Sequence, residues 1–135
     1  MQLSISETRN ISQLITLKRE QQMNLEAKLG VLRKERGGVE DAIRKANFEK
    51  YTLGLNRKSY LNDYYHRLIG QVAGADIVSV VDYEMYKFDV QDAKLGESVD
   101  RLNHKLADFN QEISEIQALI KALSKKQEKY AYLLD

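Results

Sequence analysis

The sequence predicts an all-α fold: a long antiparallel two-helix coiled-coil hairpin that takes up the whole chain, residues 1–135, as a single domain. Three observations carry that expectation. No Pro occurs among 135 residues, and an interior Pro would remove a helical hydrogen bond and clash with the preceding turn. A sustained apolar heptad fills the second half. A glycine-bearing segment, IGQVAGAD, separates the two halves.

The second arm gives the clearest signal. Steps of three and four residues in alternation, from Val78 to Leu134, visit seventeen positions, of which fifteen are apolar; Asp92 and Gln127 are the exceptions. A helix from Asp76 to the C-terminus would be roughly 90 Å long at the α-helical rise. The first arm is noisier. Ile11, Ile15, Leu25, Leu29, Leu32, Val39, Ile43, Ala46 and Leu53 share one heptad frame, interrupted by Lys18, Gln22, Arg36 and Lys50. Gly30, Gly37, Gly38 and Gly54 fall outside that seam. Each costs about 1 kcal/mol relative to Ala, which marks this arm as the more pliable one and Gly37-Gly38 as its expected bend.

The arms are read as about 5–69 and about 76–135, with the turn at about 70–76. Gly70 ends the first helix, Gly74 supplies turn geometry, and Asp76 caps the second helix by accepting from free backbone N–H groups. Folding about residues 72–73 makes the numbers of opposite residues total about 145, since a short loop makes antiparallel neighbours. That rule sets Leu29 beside Ile116, Leu32 beside Ile113, and Lys18 beside Gln127.

Composition narrows the function. The net charge of +1 conceals 13 Lys/Arg against 8 Asp/Glu in residues 1–67, and 8 against 12 in residues 68–135. Halves of opposite sign favour pairing with each other and argue against a general nucleic-acid binder, which needs an exposed basic excess. Absence of Cys excludes disulfides and thiolate zinc sites and fits a reducing cytosol. The start MQLSISETRN lacks the basic-then-apolar order of a secretory signal, and runs such as IVSVV are too short to span a bilayer. A soluble cytoplasmic protein is expected.

No catalytic, cofactor-binding or metal-ligating set is expected either. A two-helix rod offers no concave pocket with converging polar groups. His66 and His104 read as plain turn and surface residues, and the glycines do not form a phosphate-binding loop. Glu112 and Glu115 read as the solvated flank of a coiled coil. The chain is not expected to be an enzyme.

The segment VVDYEMYKFDVQDA, residues 80–93, holds more apolar surface than one helix contact requires. With Met85 and Phe88 facing the first arm, Tyr83, Tyr86, Val90 and Ala93 point away from it, as do Phe48, Tyr51 and Leu55 on the first arm. Two explanations stand. Either the heptad slips near the turn, or a third element packs there, making these residues core; or they form an exposed docking patch, for which Tyr-rich clusters are typical anchors. At the other end Lys18, Arg19, Lys121, Lys125, Lys126 and Lys129 gather with few acids nearby. They read either as a solvated face or as a basic tip suited to an acidic partner.

Tyr60-x-x-x-Tyr64, then Gly74, then Tyr83-x-x-Tyr86-x-x-x-Val90-x-x-Ala93 resembles the FliJ/YscO (SctO) family of flagellar and virulence-associated type III secretion. Leu14-x-x-Leu17-Lys18-Arg19 is similar to the start of those chains. Tyr86 stands where the family has Phe, and Arg57 where it has an apolar residue upstream of Tyr60. The resemblance implies a central-stalk protein, cytoplasmic and peripheral to an inner-membrane export apparatus, without cofactors. Its partners would be a hexameric secretion ATPase, the cytoplasmic domain of the export gate, and secretion chaperones, with neither nucleic acid nor membrane insertion. The implied ATPase contacts at the termini end are Ile11, Leu14, Leu17, Lys18, Arg19, Lys121, Lys125, Lys126 and Lys129. The implied gate contacts are Tyr60, Tyr64, Tyr83, Tyr86, Val90 and Ala93. Two other readings are a self-associating adaptor coiled coil and a chaperone-like hairpin with an aromatic turn region.

Overall fold

A computed structural model describes residues 2–68 and 75–135. Two helices, α1 (Ile5–Leu68) and α2 (Ala75–Leu134), account for nearly all of them and pack against each other, so the fold is an all-α two-helix hairpin. The expected turn, with Gly70 and Gly74, lies outside the described residues. α2 includes Asp76 in its first turn.

The start of α1 has a cap that the heptad pattern did not announce. Ser4 Oγ accepts from the Glu7 N–H at 3.1 Å, and the Ser4 carbonyl accepts from the Thr8 N–H at 3.0 Å. Ser followed three residues later by Glu is a capping-box sequence, and the side-chain bond satisfies a donor that the first turn would otherwise leave free.

The chain forms two compact units. The first combines Met1–Gly38 with Leu106–Asp135; the second is Val39–Lys105. In the first, Leu29, Leu32, Ile113 and Ile116 make a buried cluster, with Leu25, Phe109 and Ile120 packed around it. These are the layers that the register rule pairs. Cross-links between the helices in this unit are Lys28–Glu112 at 3.7 Å, Arg36 Nη1 donating to Asn110 Oδ1 at 3.3 Å, and Gln127 Nε2 donating to Gln22 Oε1 at 2.6 Å.

Gln127, expected in a layer with Lys18, makes its amide hydrogen bond with Gln22, one helical turn further along α1. Two amides complement each other as donor and acceptor inside a seam. An ammonium on a flexible stem instead carries its charge outward, and Lys18 is only half-buried.

In the second unit the helices are also antiparallel. Lys50 reaches Asp92 at 4.0 Å, Arg57 reaches Asp89 at 2.7 Å, and the Tyr60 and Phe88 rings lie 6.1 Å apart. Among the described residues only Ala46 is buried here; Val39, Ile43, Leu53, Leu95, Val99 and Leu102 are half-buried along the seam. α1 remains helical through Gly37-Gly38, the expected bend, and the division between the units falls just after Gly38.

Candidate functional site

The second unit holds the residues of the apolar stripe, and they do not share one environment. Met85 and Phe88 are half-buried toward α1, whereas Tyr83 and Tyr86 are 60% and 64% exposed. The spacing explains the split. Residues 85 and 88 occupy the two inward heptad positions, and 83 and 86 lie about half a helical turn away on the outer face. Ala93 is exposed and Val90 half-buried on that same side. Tyr83 is held in place locally: Lys87 Nζ lies 4.5 Å from its ring centroid while donating to Glu84 Oε1 at 3.1 Å. The hydrogen bond to Glu84 holds the Lys87 ammonium above its usual pKa.

Tyr60 and Tyr64, the α1 residues of the implied gate contact, are less exposed than Tyr83 and Tyr86. Both are half-buried, Tyr60 against Phe88 in the seam and Tyr64 edge-on to the exposed Tyr65 ring at 6.4 Å. Arg57, which departs from the family pattern, is committed to Asp89 between the helices.

In the same unit α1 leaves Phe48, Tyr51 and Leu55 exposed. Phe48 also walls an open groove of about 480 Å³, lined by Leu53, Leu95, Glu49, Thr52, Asn56, Gln91 and Lys94. Heptad reading finds the outward residues but not this groove, where the polar side chains beside the seam leave Leu53 and Leu95 open to one side.

In the first unit, Arg19, Lys121, Lys125, Lys126 and Lys129 are exposed, as are Leu14 and Leu17, while Lys18 and Ile11 are half-buried beside the seam. None of the four α2 lysines joins an ion pair among the described residues. The tip therefore combines mobile positive charge with exposed leucines. His66 and His104 are exposed. Among the described residues no group of three or more His, Cys, Asp or Glu is placed to hold a metal ion, and no helix is long and apolar enough to cross a membrane.

No family model, no curated protein and no solved structure matches this chain. The resemblance to FliJ/YscO proteins thus stands on the motif residues quoted above.

Proposed function

We propose that this protein is a stalk component of a type III secretion or flagellar export apparatus. In this reading the end carrying both termini enters the pore of a hexameric export ATPase and promotes its activity, while the tyrosine stripe of α2 engages the cytoplasmic domain of the export gate. The observation that carries the reading is the division of labour within residues 83–90. Met85 and Phe88 close the hairpin, leaving Tyr83 and Tyr86 exposed with no intramolecular apolar task. Large amphipathic rings with few rotatable bonds are typical anchors of protein interfaces. The unpaired lysines of the tip support the ATPase half, since like-signed charge guides encounter and orientation with an acidic lumen more than it adds affinity. One asymmetric hairpin among six similar subunits makes contacts with some that it cannot make with others, and such inequality biases the ring.

The test is ATP hydrolysis by a hexameric secretion ATPase with and without this chain, alongside a pull-down of the two. Enhancement that disappears on reversal of Lys121, Lys125, Lys126 and Lys129 to Glu supports the reading. No binding and no enhancement would sink it.

A further inference from the structure

The first unit has two flanks beside its core, and they differ. One presents Ser12, Arg19 and Glu26 of α1 with Asn110, Gln117 and Ser124 of α2, all polar, and has Met23 as the exposed apolar residue at its outer edge. The other exposes Leu17, Val31 and Leu119, at 47%, 57% and 54%. The two helices meet along this second flank through the Lys28–Glu112 ion pair and through a groove lined by Gln21, Asn24, Leu25, Leu119 and Leu123.

Along it, α2 displays Glu112, Glu115, Leu119, Ala122, Lys126 and Lys129, spaced three and four residues apart in alternation. That is a second heptad row beside the seam. The row reads acid, acid, apolar, apolar, base, base, so its charge inverts about its own midpoint. Laid antiparallel on an identical row, it sets Glu112 by Lys129, Glu115 by Lys126, and Leu119 by the small Ala122, each twice by symmetry. The same two-fold axis, crossing both helices at one level, lays the α1 row on itself, with Leu17 against Val31 and Gln21 against Lys28. Apolar side chains that the chain leaves about half exposed are thereby covered. A parallel alignment would put Glu on Glu and Lys on Lys, and like charges across a helix interface are repulsive.

We infer that this flank is an isologous interface on which two copies of the chain pack antiparallel, forming a four-helix bundle from their first units. The charged groups are free to do so. Lys126 and Lys129 have no ion pair among the described residues. Glu112 holds Lys28, and Glu115 accepts from Gln111 at 3.3 Å, each through Oε1, which leaves Oε2 as an acceptor. The contact covers Lys126 and Lys129, so a docked copy and an acidic partner at the tip exclude each other. This interface is separate from the tyrosine stripe and does not rest on the stalk reading.

Sedimentation equilibrium of the full chain, from micromolar to millimolar concentration, tests it without any ATPase. The expected result is a monomer–dimer equilibrium that stops at the dimer and weakens as salt screens the pairs. Lys126→Glu with Lys129→Glu should weaken association about a hundredfold, four pairs having turned repulsive, with helicity unchanged by circular dichroism. Adding Glu112→Lys and Glu115→Lys to that variant should restore its dimer and prevent mixing with the unaltered chain. A monomer at every concentration, a dimer indifferent to the lysine reversal, or a reversal that the glutamate swap does not rescue would overturn the proposal.

Discussion

The two units of this hairpin use the same helices in opposite ways. Among the described residues, five of the six that are buried, Ile15, Leu29, Leu32, Ile113 and Ile116, belong to the first. Of the second only Ala46 is among them, and that unit is cross-linked by Lys50–Asp92, Arg57–Asp89 and the Tyr60–Phe88 contact. Four of its large aromatics, Phe48, Tyr51, Tyr83 and Tyr86, face outward. Two helices cannot enclose everything, so apolar residues placed outside are unavailable to the core. Stability should therefore reside chiefly in the first unit, and the aromatic recognition surface in the second.

Five substitutions break or sharpen that contrast. Ile116→Ala, at a residue only 4% exposed, should cost about 2–5 kcal/mol in urea denaturation through lost burial and a residual cavity. Leu53→Ala, the nearest equivalent in the second unit, is half-buried and should cost about half as much by the same measurement; equal costs would erase the distinction between the units. Gly54→Ala should add roughly 1 kcal/mol, seen as a higher Tm, because a Cβ there meets nothing within 4 Å and Ala is the better helix former. Arg57→Ala should cost under about 1 kcal/mol, since its pair with Asp89 has side chains 43% and 59% exposed, where solvent screens the attraction. Tyr86→Ser should leave stability within about 0.5 kcal/mol of the parent while abolishing binding to an export-gate domain in a pull-down, the readout that separates a recognition residue from a structural one.

Much of this was legible before any coordinates. Heptad spacing alone assigns the inward residues of α2, because a period near 3.5 fixes one face whatever the partner is. It also foresees that Tyr83 and Tyr86 face away from Met85 and Phe88. Periodicity says nothing of how far one helix slides along the other; the register rule placed Leu29 and Leu32 with Ile113 and Ile116, but it did not foresee the amide bond of Gln22 with Gln127. The cap at Ser4 was readable as Ser-x-x-Glu but lies outside the apolar pattern. The open groove beside Phe48 was not readable, since it depends on how far Asn56 and Gln91 fail to cover two leucines. Tyr60 and Tyr64 show the reverse limit. A shared motif groups them with Tyr83 and Tyr86, but it does not foretell that they are half-buried, Tyr60 against Phe88.

The bond between Gln22 and Gln127 has a consequence for how such a chain settles. Repeating aliphatic rows fit one another almost as well after a slip of one heptad as before it. Shift α2 by seven residues, however, and Gln127 lies against Ile15 or Leu29 while Gln22 lies against Ile120 or Leu134. Each amide then loses its mate inside the seam, at a cost below the ~1–3 kcal/mol of a fully buried group, since both side chains are half-buried. The amide pair acts like the notch of a ratchet, leaving one resting position among several that the leucines and isoleucines alone would accept.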